Sequence, residues 1–295
     1  MPSWKRVLVY FVSEVSENHI FSFSAALSYY FLLALFPALI ALATIVGLLP
    51  IPHLFNTIVG AMAQVVPPQS MGLVRRVVSD VMSHNHPALL SFGLIGALWV
   101  CSSAFATMIE ALNVTYHVPE TRPFWKVRLL AFELTLLSGV LTSVAFAFVI
   151  VGPYFGRFLS ARFDLRLAFV IAWPILQHVL AAILMVLAIE GLYFLAPDVK
   201  QSLSASLPGA VFAVIAWLLL SDGLSLYLQK FGHLNRTYGV LGGAIALLVW
   251  LYWSGFVILL GAMLNTGITK FKGEAEMAAR PSEDQEVRSK VAGAN

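Results

Sequence analysis

The chain has 295 residues, of which 59% are hydrophobic and only 11% are charged. Roughly a quarter of the residues of an ordinary soluble domain are charged, and polar side chains cover its surface. The composition therefore excludes a typical cytosolic enzyme, a nucleic-acid-binding module and a disordered protein. The mean hydropathy of +0.85 indicates a polytopic membrane protein. The lone cysteine, Cys101, excludes an intrachain disulfide and a cysteine-rich zinc site.

Residues 1–23 are predicted to form an interfacial helix rather than a cleavable signal peptide. The apolar run that follows Lys5 and Arg6 is only about six residues long, which is too short for the core of a signal peptide. Apolar side chains recur on one helical face of this segment. They are Trp4, Leu8, Phe11 and Val15.

Six stretches without Asp, Glu, Lys or Arg follow, and the shortest of them holds 21 residues. About 20 apolar residues cross a bilayer as a helix, so each stretch predicts one transmembrane span. The predicted spans cover residues 24–49, 88–112, 130–152, 167–195, 207–229 and 238–268. The predicted fold is therefore all-α, with a six-span membrane domain over residues 24–268.

Two further segments flank these spans. Residues 53–84 contain several prolines and carry apolar residues at helical spacing, with Arg75, Arg76 and Asp80 on other faces. This pattern predicts two amphipathic helices at the membrane surface, with a buried hairpin as the alternative. Residues 269–295 have mixed charge and low hydrophobicity, which predicts a disordered tail.

The distribution of lysine and arginine predicts the orientation of the spans. With six spans both termini share one side, which receives eleven basic residues against seven on the other side. Three of the eleven lie in the remote tail. The remaining excess is one residue, and it favours cytoplasmic termini. The segment 53–84 is then periplasmic.

Three sequence motifs carry a resemblance to a known family. Residues 25–37 read AALSYYFLLALFP, and residues 120–128 read ETRPFWKVR. The last span contains YGVLGG, LVWLY and LGAMLN, beginning at residues 238, 248 and 260. Over residues 5–270 the chain resembles the YihY/BrkB family of bacterial inner-membrane proteins.

The resemblance implies six spans with both termini in the cytoplasm. Members of the family have been called virulence or serum-resistance factors, and an older ribonuclease BN label is generally regarded as a misassignment. Some members are suspected of handling envelope lipids or other exported compounds. The family often has an acidic residue at the position of Met263. A proton- or ion-coupling role for that acid therefore does not carry over to this chain.

Three acids are predicted to lie at similar depth near the cytoplasmic ends of spans two, three and four: Glu110, Glu133 and Glu190. A charge at the centre of a bilayer costs about 2.5–3.5 kcal/mol or more, so such residues usually face the protein interior or water. Arg122, Lys126 and Arg128 lie in or next to the loop that joins spans two and three. The acids and arginines can form a vestibule that receives a charged headgroup or relays protons. The alternative is a set of ion pairs that fastens the loop.

A second candidate site lies near the other ends of the spans. Asp222 follows a long apolar run in span five, and Asn235, Arg236 and Tyr238 lie in the short connection to span six. These residues can form an outer gate. The alternative is a tight turn whose polar side chains satisfy the helix ends.

Two prolines fall inside predicted spans. Pro37 lies in the middle of span one and Pro174 near the start of span four. Proline removes a helix hydrogen bond and can kink a helix. Kinked helices often frame transporter sites, although prolines in transmembrane helices also serve packing alone.

The sequence indicates no catalytic centre, no metal site and no cofactor, since it lacks a phosphate-binding glycine-rich loop and the common hydrolase motifs. The acids in the spans, the prolines that can kink them and the large amphipathic outer segment lead us to expect transport or translocation of an amphiphilic or anionic envelope component. A non-transporting scaffold or envelope-integrity factor is the alternative, and a membrane-bound hydrolase is a third, weaker one. Membrane lipids and this substrate are the expected partners. Nucleic acid is not expected, and homo-oligomerisation is left open.

Overall fold

The computed structural model describes residues 4–48, 87–163, 167–231 and 240–279, with the isolated positions 60, 71–72 and 75–76. Regular structure within these ranges is helical throughout. The seven helices are α1 (Trp4–Glu17), α2 (Ile20–Leu48), α3 (Pro87–Thr115), α4 (Phe124–Phe163), α5 (Leu167–Leu195), α6 (Leu203–Phe231) and α7 (Val240–Ala279). The predicted all-α fold is confirmed.

Five helices, α3 to α7, are long and apolar enough to cross a membrane. Helices α1 and α2 meet at an angle of 57°, and together they provide a sixth candidate span. The length and composition of these helices confirm a polytopic membrane protein, with five or six candidate spans among the described residues.

Helices α4 and α7 extend well beyond the spans predicted for them. Each has 40 residues, which corresponds to about 60 Å of helix, twice the thickness of a hydrocarbon core. The absence of charge marks the part of a helix that fits the bilayer, but a helix can continue through charged residues into the headgroups and water. Helix α7 reaches Ala279, so the first residues of the predicted tail are helical. The remainder of the tail lies outside the described residues, as does most of segment 53–84.

The six long helices form a closed ring. Each helix from α2 to α7 packs against the next one in the chain, and α7 returns to pack against α2. Helix α7 also contacts α3, and α1 rests against α2 and α7. Short connections between sequential helices from α3 to α7 favour this arrangement of neighbours, whereas residues 49–86 separate α2 from α3.

The main buried cluster lies where α1 meets the bundle. We call this region the α1 end; it contains the ends of α3 and α5 and the starts of α2, α4 and α6. Fully or almost fully buried apolar side chains from these helices and from α7 form the cluster. They include Ile20, Leu27, Met108, Ile109, Leu112, Leu134, Leu192, Leu259 and Met263.

Two histidines with left-handed backbone end helices at the α1 end. His19 has φ 51° and separates α1 from α2, whereas His117 has φ 55° and follows α3. After α3, the amide of Val118 donates to the carbonyl of Asn113 at 3.0 Å, and the amide of His117 donates to that of Val114 at 3.0 Å. This pair of bonds is the Schellman arrangement, in which glycine is the usual left-handed residue. His117 also places its Nε2 atom 3.0 Å from the Glu14 carboxylate, and this contact connects α1 to the end of α3.

Helices α6 and α7 cross in direct backbone contact at two glycines. A β-carbon built on Gly261 would lie 2.6 Å from the carbonyl oxygen of Gly209. A β-carbon built on Gly209 would collide with the carbonyl oxygen of Gly261. Small residues allow transmembrane helices to approach in this way. The crossing brings Asn265, one turn further along α7, against the first turns of α6.

Candidate functional site

The three predicted vestibule acids differ in exposure. Glu110 on α3 and Glu133 on α4 are exposed, whereas Glu190 on α5 is buried with 6% of its surface accessible. None of the three lies within ion-pair distance of a basic side chain in the part of the chain that the structure describes. Only Glu190 is therefore enclosed by the bundle.

Glu190 belongs to a buried polar cluster that joins α5, α6 and α7. Its Oε1 atom accepts a hydrogen bond of 2.5 Å from the Ser206 hydroxyl, while its Oε2 atom is buried without a hydrogen-bond partner. Asn265 donates from Nδ2 to the Ser206 carbonyl at 2.8 Å and accepts from the Gly209 amide at 2.7 Å. The amide side chain of α7 thus holds the first turns of α6 beside Glu190.

Two tyrosines complete this arrangement, which we call the Glu190 cluster (Glu190, Ser206, Asn265, Tyr116 and Tyr193). The Tyr193 hydroxyl donates to the Ile258 carbonyl of α7 at 2.5 Å. The Tyr116 hydroxyl is buried without a partner that meets hydrogen-bond geometry. Burial raises the pKa of Tyr116, because the charged phenolate loses its water.

The cluster therefore contains two buried oxygen atoms without partners, on Glu190 and Tyr116. Unpartnered buried polar atoms are uncommon in native proteins, because losing water without a replacement costs about 1–3 kcal/mol each. A proton, a water molecule or a polar group of a ligand would satisfy them. This is the part of the described bundle where chemistry beyond packing is concentrated.

Sequence reasoning located Glu190 but missed Ser206, Asn265 and Tyr116. These residues are uncharged and lie within or beside apolar stretches. Asn265 could have indicated this cluster, because it is a polar amide inside a predicted span and inside one of the three family motifs.

Arg122 pairs with acids that differ from the three expected partners. Its Nη2 atom lies 2.7 Å from the Glu120 carboxylate, and its Nε atom lies 3.9 Å from the Asp198 carboxylate. Nη2 also donates to the Ala196 carbonyl at 2.8 Å. The loop between α3 and α4 is thus joined to the loop between α5 and α6.

Further hydrogen bonds complete this junction, which we call the loop cluster (Asn113, Glu120, Thr121, Arg122 and Asp198). Asn113 donates to Glu120 at 2.8 Å and accepts from the amide of Asp198 at 2.8 Å. The amide and hydroxyl of Thr121 both donate to Asp198. Ion pairs do hold this loop, but the partners of Arg122 are Glu120 and Asp198 rather than the acids that the sequence suggested. Glu110, Glu133 and Glu190 take no part in it.

The pKa values of both carboxyls in the loop cluster are lowered. Hydrogen bonds from Arg122 lower the pKa of Glu120, and hydrogen bonds from Thr121 lower that of Asp198. Depressed folded-state pKa values add stability above the unfolded-state values, and this stability is lost as the pH falls through the folded values. The loop cluster therefore stabilises the protein at neutral pH, and this stabilisation is lost in acid as Glu120 and Asp198 become protonated.

We expect the substitution Arg122→Gln to weaken the dependence of the unfolding temperature on pH in the acid range. Wild-type protein should lose thermal stability as the pH falls from about 5 to about 3, where unperturbed carboxyls titrate. The variant should have a lower unfolding temperature than wild type at neutral pH, and its unfolding temperature should fall less as the pH decreases from about 5 to about 3. Thermal unfolding in detergent at a series of pH values measures this, with Lys200→Gln as the control, because Lys200 is an exposed loop residue. Parallel profiles for wild type and Arg122→Gln would contradict the assignment.

The predicted outer gate is only partly within the described residues. Asp222 is exposed on α6, while Asn235, Arg236 and Tyr238 lie outside the described ranges. Pro37 and Pro174 lie inside the continuous helices α2 and α5. Gate and kink roles for these residues remain predictions.

Two apolar grooves lie along α4 and α5, and the Trp173 indole contributes to the lining of both. One has a volume of about 210 Å³ and the other of about 430 Å³. The Trp173 indole is fixed by a hydrogen bond of 2.6 Å to the Gly152 carbonyl. Neither groove is lined by Glu110, Glu133 or Glu190. The grooves are lined by Val144, Ala147, Phe148, Gly152, Phe155, Phe169, Ala172, Trp173, Ile175, Leu176 and Val179.

Comparison with known proteins identifies relatives along nearly the whole chain. The chain is similar to YfkH of Bacillus subtilis, provisionally named a ribonuclease-like protein, with 35% identity over 84% of this chain and 90% of that protein. It is 25% identical to a UPF0761 membrane protein of Xanthomonas oryzae over 95% of this chain and 62% of the relative. A similar protein from Xanthomonas axonopodis, XAC0937, is 25% identical over 94% of this chain and 63% of its own length. The chain thus spans less than two thirds of these Xanthomonas relatives.

No solved structure matches the chain. The family model described as virulence factor BrkB matches residues 11–286, which include all of the Glu190 cluster and the loop cluster. This match agrees with the resemblance seen in the three motifs and with the polytopic helical fold. The chain is therefore an integral membrane protein of the BrkB family.

Proposed function

We propose that this protein moves an amphiphilic or anionic envelope component across the bacterial inner membrane, with both termini in the cytoplasm. The observation that supports this is Glu190, a buried carboxyl group with one unpartnered oxygen inside a membrane bundle. Ionisable residues at such positions are costly and commonly mark substrate or proton pathways. Exposed acids such as Glu110 and Glu133 give no comparable support, because water or headgroups can solvate them.

In this proposal Glu190 exchanges a proton or a hydrogen bond with the passing polar group. Ser206 orients the carboxyl group through Oε1, which leaves Oε2 free for that exchange. Tyr116 supplies a second buried hydroxyl in the same cluster. The apolar grooves along α4 and α5 offer surfaces for the hydrocarbon part of an amphiphile.

The test is reconstitution of the full chain in liposomes. Scrambling of a fluorescent phospholipid and proton flux are measured for wild type and Glu190→Gln. We expect the flux of wild type to exceed that of protein-free vesicles, and the flux of Glu190→Gln to fall about 100-fold or more, the size typical of a lost proton-transfer group. Glu17→Gln is the matched control, because Glu17 is an exposed acid at the α1 end. Wild-type rates equal to those of protein-free vesicles, or Glu190→Gln rates equal to wild type, would contradict the proposal.

A structural observation favours a second candidate, a scaffold without a substrate path. Asn265 ties α7 to α6 through two hydrogen bonds, and the acids do not line either groove. For a scaffold, Glu190→Gln should change the thermal unfolding temperature and leave all fluxes at the background level. The same reconstitution therefore separates the two functions.

A further inference from the structure

Arg128 is a cation near the start of a candidate span that runs over Phe124–Val149. Its guanidinium carbon lies 4.1 Å from the centre of the Trp99 ring and 5.4 Å from that of Phe132. The guanidinium donates to the Trp99 carbonyl at 3.0 Å and to the Ser103 hydroxyl at 3.2 Å. These contacts hold the side chain in a fixed orientation on α3.

All of these contacts are neutral. No carboxylate lies within ion-pair distance of Arg128 among the described residues. A guanidinium has five N–H donors. The hydrogen bonds to Trp99 and Ser103 engage three of them, two of which share Ser103, and the buried Nε–H group has no acceptor. The positive charge is therefore held in a fixed position without a counterion among the described residues.

The side chains around Arg128 are aromatic and exposed. Trp99 is 56% exposed, Trp125 is 62% exposed and Phe124 is 80% exposed. The Lys126 ammonium lies 5.4 Å from the centre of the Trp125 ring. Tryptophan and basic residues together are typical of the boundary between hydrocarbon and headgroups. A ligand for this surface must combine an anionic group with an apolar body.

We propose that Arg128, with Trp99 and Ser103, forms a binding site for the phosphate of an anionic phospholipid. The phosphate pairs with the guanidinium charge and accepts from the unengaged Nη1–H donor, and the hydrocarbon chains lie against Trp99 and the exposed Leu129. Arginine suits this role because its several donors allow Trp99 and Ser103 to fix the guanidinium while its positive charge stays available to an anion. The apolar surroundings favour a lipid over a free phosphate ion. The site does not depend on the proposed transport, since it requires neither Glu190 nor a path through the bundle.

The test uses the full chain in nanodiscs of phosphatidylcholine with increasing amounts of phosphatidylglycerol. A lipid that binds the folded protein raises its unfolding temperature in a concentration-dependent way. We expect wild type and Lys200→Gln to show this rise equally. Arg128→Gln should need about tenfold or more phosphatidylglycerol for the same rise, since a charge-assisted contact is lost. Arg128→Lys should fall between them, because it keeps the charge but loses the planar set of donors that fixes the side chain on α3.

A second arm distinguishes the source of the phosphate. Inorganic phosphate added to nanodiscs of pure phosphatidylcholine should leave the unfolding temperature of wild type unchanged. An equal rise with inorganic phosphate, or an unchanged response in Arg128→Gln, would overturn the proposal. Should Arg128→Gln not fold, wild type is labelled with a photoreactive phosphatidylglycerol and digested. Labels on peptides that contain Trp99 or Arg128 support the site, and labels confined to other peptides refute it.

Discussion

Gly261→Ala is expected to destabilise the folded bundle by about 1–3 kcal/mol or more, the range for inserting a methyl group into a packed interior. The new β-carbon would lie 2.6 Å from the Gly209 carbonyl oxygen and 3.0 Å from the Ala213 β-carbon. The first of these atoms belongs to a helix backbone, so it cannot swing aside as a side-chain end can. Helices α6 and α7 must separate, and the bonds that Asn265 makes to α6 lengthen with them. Gly209→Ala should have a similar effect from the opposite helix.

The measurement is the fraction of monodisperse protein that remains after heating in detergent, analysed by gel filtration. Gly139→Ala provides the matched control, because Gly139 is exposed on α4 and nothing lies within 4 Å of the position that a β-carbon would take there. That substitution should be neutral or slightly stabilising, since alanine favours helix by about 1 kcal/mol over glycine. Equal melting of Gly261→Ala and Gly139→Ala would show that the backbones do not touch at this crossing.

Asn265→Asp is expected to destabilise the protein by at least about 1–3 kcal/mol, although the side chain keeps its shape. An aspartate can still accept from the Gly209 amide, but it cannot donate to the Ser206 carbonyl as Nδ2 does. Two oxygens would then face each other in a buried site. A negative charge would also enter the cluster that contains Glu190, which has no ion-pair partner among the described residues. Burying an unpaired charge costs more than losing a neutral hydrogen bond.

Thermal unfolding of the purified variant in detergent tests this expectation. Thr269→Val is the control, because Thr269 lies one turn away and its hydroxyl bonds only to the Asn265 carbonyl in its own helix. Its loss should have a small effect. A stability of Asn265→Asp equal to that of Thr269→Val would mean that the amide does not hold α6 to α7.

The helical membrane fold followed from the sequence because charge is expensive inside a bilayer. Each of the six predicted spans corresponds to one of the helices α2 to α7, and the predicted bounds differ from those of the helices at the ends. Helix α4 begins at Phe124 and continues past Arg157, since a helix can carry charges once it leaves the hydrocarbon. The length of a charge-free stretch therefore indicates the thickness of the hydrocarbon core that the helix crosses, and not the full length of the helix.

The candidate site was harder to predict, for two physical reasons. In a membrane helix, lipid-facing and protein-facing positions are both apolar, so periodicity did not reveal that Glu133 is exposed beside Leu129 and Leu136. The partners of Arg122 depend on loop geometry, which brings Asp198 to a residue 76 positions earlier in the chain. A search based on charge also passes over Asn265, whose amide is neutral and yet makes two of the bonds that hold the cluster together.

The position of Asn265 has a consequence for the biosynthesis of this protein. A chain emerges from the ribosome N-terminus first, so α5 and α6 are made before the helix that supplies their buried amide partner. Until α7 arrives, the Ser206 carbonyl and the Gly209 amide lack the contacts that Asn265 gives them. Helices α5 and α6 therefore reach their final polar environment only when the last span has been synthesised, and the α6–α7 crossing is a late step of assembly.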